Sequence, residues 1–136
     1  IIPVLVGNGT TQYVISLEGN RPSRSVKISW NAFAAADVPI NDSWNLSARV
    51  DVNHSGPAFA NLINTASFGE RTLTNARLAL ESERYSVALW ATNLFNESYA
   101  ANSINQPRAG LPFTYSLNEI YLGEERRIGL TASVRF

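Results

Sequence analysis

The sequence predicts an all-β chain: an antiparallel meander of about five transmembrane strands. Three observations point that way. Apolar and polar residues alternate with period two over several segments, which is the spacing of a strand with two unlike faces. The connections between those segments run short, long, short, long. Aromatic residues collect at one end of the apolar faces, beside the short connections.

The first segment, 26–37, places Val26, Ile28, Trp30, Ala32, Ala34 and Ala36 on one face, against Lys27, Ser29, Asn31 and Asp37. Phe33 and Ala35 interrupt the polar side. Alanine is a good helix former, but the alternation before the run and Pro39 after it assign it to the end of a strand. Residues 39–43 form a short turn. Segment 44–53 alternates cleanly, with Trp44, Leu46, Ala48, Val50 and Val52 opposite Asn45, Ser47, Arg49, Asp51 and Asn53. A long loop, 55–70, follows. Segment 71–81 aligns Thr74, Ala76, Leu78 and Leu80 against Asn75, Arg77 and Glu81, with Leu73 as an exception. After the very short turn at 82–84, segment 85–93 aligns Tyr85, Val87, Leu89 and Ala91 against Ser86 and Thr92, with Trp90 on the more polar side. The loop 96–125 is long and contains Pro107, Gly110, Pro112 and Gly123. The final segment sets Ile128, Leu130, Ala132, Val134 and Phe136 against Arg127, Gly129, Thr131, Ser133 and Arg135.

Trp44 and Tyr85 each begin a strand that leaves a short turn, and Phe136 ends a strand that returns to that side. All three belong to the apolar face, where an aromatic girdle at a membrane interface belongs. Tight turns on one side and large loops on the other are the asymmetry of bacterial outer-membrane barrels. The segments are close to the 9–11 residues that cross a bilayer at a tilt of about 45°.

Composition narrows the chemistry. The 136 residues are 45% hydrophobic, only 16% charged, and carry zero formal net charge. That balance gives no field for nucleic acid. The chain has no cysteine and a single histidine, which excludes a disulfide framework, a thiol nucleophile and a multi-histidine metal site. No cofactor is expected, and no enzymatic activity, since His54 is the only histidine base for a nucleophile. No apolar run suggests a membrane helix. The chain has no methionine and opens Ile1-Ile2-Pro3, so it is expected to be a processed product or a fragment. Gly7-Asn8-Gly9 lacks the strand–helix context of a nucleotide fingerprint and reads as a turn.

Four stretches carry a family likeness: Gly19-Asn20-Arg21-Pro22; Thr72-Leu73-Thr74-Asn75-Ala76-Arg77-Leu78; the run from Val87 through Asn93-Leu94-Phe95-Asn96-Glu97-Ser98-Tyr99; and the closing strand from Arg126 to the terminal Phe136. Across residues 19–136 the chain resembles the C-terminal end of a TonB-dependent outer-membrane receptor. The resemblance implies a 22-stranded barrel with an N-terminal plug. Residues 1–136 would supply its last five strands, with 1–23 an outer loop carrying part of a further strand near 12–17. Plug and energy-coupling box would lie upstream. It further implies the outer membrane of a Gram-negative bacterium, and active uptake of a scarce small-molecule ligand such as a siderophore–iron complex. The implied partners are the lipid bilayer, the barrel-assembly machinery, and the plug and TonB through the upstream region.

Candidate residues follow. Ile128, Leu130, Ala132, Val134 and Phe136 form an assembly signal in which a strand edge pairs with a foreign strand; facing lipid is their simpler role, and both can hold. Arg108, Phe113, Tyr115 and Tyr121 in the second long loop are candidates for an anionic or aromatic metal chelate, against ordinary loop packing. Arg49, Asp51, Arg77 and Glu81 read as a lumen ion-pair network, and His54 as an interfacial or loop histidine. Two other functions stay open: another outer-membrane barrel of structural or adhesive role, and a soluble β-sandwich binding module in which the Trp44 and Ile128 faces pack on each other. The assembly role is checked by deleting Phe136 from the full-length protein. Outer-membrane yield should fall, and an unchanged yield would remove the assignment.

Overall fold

The computed structural model describes residues 2–5, 11–14, 16–107 and 116–136. The described residues form antiparallel sheets and contain no helix. Strands β1 (Ile2–Leu5) and β2 (Thr11–Val14) pair with each other as a separate hairpin. Strand β2 overlaps the partial strand expected near 12–17, but it pairs with β1 and is not a further strand of the main sheet. The expected turn at Gly7-Asn8-Gly9 lies outside the described residues.

The main sheet is built from β3 (Ser29–Asn41), β4 (Trp44–Ser55), β7 (Arg71–Glu81), β8 (Tyr85–Thr92) and β11 (Arg127–Val134), in the order β11-β8-β7-β4-β3. Neighbours in the sheet are consecutive in this series, so it is a meander, as the alternating connections require. The two long connections are not plain loops. Residues between β4 and β7 form the small hairpin β5 (Ala58–Phe59) and β6 (Ser67–Phe68). Those between β8 and β11 form the longer hairpin β9 (Ala100–Pro107) and β10 (Ser116–Leu122). Neither hairpin was legible as alternation: β5 and β6 are only two residues long each, and β9 and β10 carry no regular apolar–polar alternation.

Turn chemistry sets the short connections. Asn41 Oδ1 accepts from the backbone N–H groups of Ser43 and Trp44 at 2.9 and 3.0 Å, an Asx turn. Ser82 N–H donates to the Tyr85 carbonyl at 2.7 Å, and Ser82 Oγ accepts from the Tyr85 N–H at 3.0 Å. Strand β3 runs further than expected at this end, through Pro39 to Asn41, with a bulge between them. Proline is tolerated there because it sits at that bulge, near the end of the strand. At its other end β3 begins at Ser29, three residues later than the alternation suggested. The Gly56 N–H donates to the Ile28 carbonyl at 2.9 Å, which continues the β3–β4 register by one pair beyond Ser29↔Ser55.

Register decides which side chains share a face. The pairs Ala32↔Val52, Ala34↔Val50 and Ala36↔Ala48 join β3 to β4, and Leu46↔Leu80, Ala48↔Leu78 and Val50↔Ala76 join β4 to β7. Leu78↔Leu89 and Leu80↔Val87 continue into β8, and Leu89↔Leu130 and Ala91↔Ile128 into β11. Paired residues lie on the same side of a sheet, so all the apolar stripes read from the sequence fuse into one face. Nothing among the described residues covers it: Leu78 is 47% exposed, Leu89 51% and Leu130 69%. The chain exposes 10482 Å², where a compact monomer of this length exposes about 7000 Å². Among the described residues the buried hydrophobic set is four alanines, Ala58, Ala79, Ala88 and Ala91.

The opposite face is polar and locally packed. Arg49 forks onto Asp51, with Nη2 to Oδ1 at 2.6 Å, and its guanidinium lies 4.7 Å from the centre of the Phe33 ring. This accounts for the aromatic interruption in the polar stripe of β3. Trp90 and Gly129 are direct register partners. The indole lies flat over Gly129, where a Cβ would fall inside the ring, and its Nε1 donates to Thr131 Oγ1 at 3.2 Å. Large aromatic and small partner together lock β11 to β8. Gly129→Ala should lower the stability of the folded protein by about 1–3 kcal/mol through overpacking. Adding Trp90→Ala should remove most of that further penalty, as read from a double-mutant cycle of denaturant unfolding.

Candidate functional site

The sheet has two unlike ends. At the short-turn end Trp44 and Tyr85 stand on the apolar face, and Phe136 lies fully exposed just past β11. Ile128, Leu130, Ala132 and Val134 face the same way along β11, opposite Ala91, Leu89, Val87 and Tyr85. On its other edge β11 has no neighbour in the sheet. At the long-loop end Trp30 stacks on His54, with ring centroids 5.3 Å apart, and the His54 Nδ1 lies 2.9 Å from Thr72 Oγ1. The apolar face is thus bracketed by aromatic rings at both ends. From Trp44 to His54 the strand advances about 33 Å, at about 3.3 Å per residue.

The residues read as a polar-face network are brought together in pairs. Besides Arg49 and Asp51, Arg77 Nη2 lies 3.4 Å from Glu81 Oε1. Arg49 and Arg77 are direct cross-strand partners. Like charges in that position repel, and each arginine has its own carboxylate to offset the repulsion.

The long-loop end is a tied-down platform. Asn64 mimics a strand partner for Arg21: its Oδ1 accepts from the Arg21 N–H at 2.8 Å and its Nδ2 donates to the Arg21 carbonyl at 2.9 Å. Arg24 N–H donates to the Phe59 carbonyl at 2.7 Å, and Arg24 Nη2 donates to Asn102 Oδ1 at 2.9 Å. The segment holding Gly19-Asn20-Arg21-Pro22 is thereby bound to both long connections.

Asn93 is the hub of the second connection. It is 6% exposed and adopts φ 47°, a left-handed conformation that asparagine tolerates better than most residues. That conformation ends β8 at Thr92. Its Nδ2 donates to the carbonyls of Glu97 and Glu124 at 2.8 and 3.0 Å, and its Oδ1 accepts from the Glu97 N–H at 2.8 Å. Glu97 in turn places its carboxylate on the Thr72 N–H at 2.9 and 3.0 Å. Asn96 Oδ1 accepts from the Arg126 N–H at 2.8 Å, immediately before β11. The Asn93–Tyr99 motif is thus a clasp between β7, β8 and β11. Tyr99 completes it: its ring lies against Gly123, where no side chain would fit, and carries the Arg71 guanidinium 5.0 Å from its centre.

Between these ties lies a cleft of about 160 Å³ lined by Arg24, Val26, Ser55, Gly56, Ala58, Phe68, Gly69, Arg71 and Ala100 to Asn102. The sequence did not single out Arg24, Arg71 or Asn102, because they come from three separate segments, the chain ahead of β3, the start of β7 and the start of β9, and share no spacing. Of the four loop candidates, Arg108, Phe113 and Tyr115 lie outside the described residues. Tyr121 lies in β10, half exposed, and donates its phenol hydrogen to Glu119 Oε2 at 3.1 Å. The carboxylate holds that proton in place, so the phenol pKa is raised above its ordinary value of 10.0. No group of metal-binding side chains occurs among the described residues.

No family model, curated protein or solved structure matches the chain.

The clasp is checked at Asn93. Asn93→Ala removes three buried hydrogen bonds and should cost about 2–4 kcal/mol. Asn93→Asp keeps the acceptor but aims a carboxylate at two carbonyls. Its folded-state pKa is then raised, so its stability is full below the unfolded value of about 4 and falls as pH rises through the folded one. A pH series of unfolding midpoints reads both effects.

Proposed function

We propose that this chain forms part of the wall of an outer-membrane β-barrel, and that the whole protein is a TonB-dependent receptor that takes up a scarce small-molecule ligand such as a siderophore–iron complex. The observation that carries the first step is the single apolar face running unbroken across all five strands of the main sheet, uncovered by any of the described residues. Lipid is the solvent that suits it. The aromatic rings bracketing that face support the same reading. A strand path of about 33 Å tilted by about 40° rises about 25 Å, the height of an outer-membrane apolar band. The polar face, with its ion pairs, would line the interior. The edge strands β3 and β11 would pair with further strands of the barrel, and β11 with the assembly machinery first.

The receptor reading rests on the motif resemblance, and the clasp around Asn93 gives those residues a physical reason to occur together. A β-sandwich has less support. It needs the Trp44 and Ile128 faces to pack against each other, and they are neighbours on one side of one sheet.

Single cysteines test the wall, against a chain with none of its own. Spin labels at Leu78→Cys and Leu89→Cys in the membrane-embedded full-length protein should be reached by oxygen and shielded from a water-soluble nickel chelate. A label at Asp51→Cys should show the reverse. Equal nickel access at all three would end the membrane reading. Transport is tested separately, by growth and labelled-iron uptake in cells lacking the protein under iron limitation. Unchanged uptake of every chelate supplied would end the iron–siderophore assignment.

A further inference from the structure

The cleft at the long-loop end has an unusual balance of charge. Two arginines, Arg24 and Arg71, are among the residues that line it, and no acidic residue is. Glu70, between the lining residues Gly69 and Arg71, does not itself line the cleft. Glu97 has both carboxylate oxygens on the Thr72 N–H. Arg21 does not line the cleft; it donates from Nη2 to the carbonyls of Ser25 and Pro57 and lies over the Phe59 ring. The arginines of the polar face are paired with Asp51 and Glu81. Arg24 and Arg71, by contrast, have no ion pair among the described residues. Arg24 uses one N–H on the neutral Asn102 amide, and a guanidinium has five. Arg71 is held by the Tyr99 ring face alone, a contact that positions the cation without neutralising it.

The remaining walls differ. Ser55 and Asn102 add polar groups, while Val26, Ala58 and Phe68 supply an apolar side. A small pocket lined by both cationic and apolar side chains suits a ligand with an anionic head and a short apolar body. Planar guanidiniums recognise carboxylates by paired hydrogen bonds. A volume of about 160 Å³ admits a small organic anion and not a large chelate.

We infer that this cleft binds the carboxylate of a small organic anion, with Arg24 and Arg71 clamping the carboxylate and Val26, Ala58 and Phe68 receiving its apolar body. Binding here needs no transport and no energy coupling, so the inference stands apart from the receptor reading. The cleft is assembled from the chain ahead of β3, the β5–β6 hairpin and the start of β9. Its occupation would therefore add a tie between the two long connections, beside the Arg24–Asn102 hydrogen bond.

The test uses the purified full-length protein in detergent and 4-fluorobenzoate as the probe, followed by fluorine NMR line broadening. The expected result is saturable binding that weakens with added salt and loses about tenfold in affinity in Arg24→Gln or Arg71→Gln. Arg77→Gln, on the polar face away from the cleft, should bind as the parent does. Unlabelled benzoate should compete better than inorganic phosphate. If a glutamine variant does not fold, Arg24→Lys and Arg71→Lys keep the charge but lose the fork, and should weaken binding about threefold. Absence of saturable binding would overturn the inference. So would affinity unchanged in the variants of both arginines, and so would phosphate competing as well as benzoate, since the apolar wall would then have no part.

Discussion

The structure depends on one constraint: backbone pairing carries the apolar side chains of five strands to the same side of a single sheet, and none of the described residues packs against them. Ordinary domains resolve this by laying a second layer on the apolar face. Here the small hairpins stay at the long-loop end, and the exposed area far exceeds that of a compact monomer. Cohesion within the chain therefore comes mainly from strand-to-strand hydrogen bonds and cross-strand side-chain pairs. The proposed bilayer setting turns the uncovered face from a liability into the surface that holds the sheet in place.

The polar face and the loop platform solve the problems this leaves. A sheet without a packed core can slip in register, and a slip of one residue would turn every apolar side chain to the wrong side. Trp90 over Gly129 fixes the last strand, and Phe33 beneath Arg49 fixes the first. The Asn93 clasp fixes the exit of β8 and the entry of β11 together, through carbonyls of Glu97 and Glu124. The same clasp presents Tyr99 to Arg71, so the element that secures the wall also shapes the cleft.

Much of the sheet was legible in the sequence. The alternation at 44–53 and 71–81 matches β4 and β7 closely, because residues on these central strands have partners on both sides and their two faces meet unlike surroundings. The ends of the other strands were less legible. Strand β8 stops early because Asn93 turns left-handed. That is the effect of a buried polar side chain, and it leaves no periodic trace. The loop candidates show the limit more sharply. Tyr121 was chosen for its chemistry and is engaged with its neighbour Glu119. Arg24 and Arg71, which do line a cleft, sit in segments with nothing else to distinguish them.

The sequence by itself determined the period-two pattern, hence the all-β class, the order of short and long connections, and which residues of each strand share a side. These are local properties, since alternation and turn chemistry act over a few neighbouring residues. Only the tertiary structure decided that the separate stripes join into one continuous face, that both long connections fold into hairpins, and that Arg24, Arg71 and Asn102 meet. Those outcomes depend on register between strands and on hydrogen bonds such as Arg24 to Asn102, between residues far apart in the chain, and spacing along the chain does not encode such contacts.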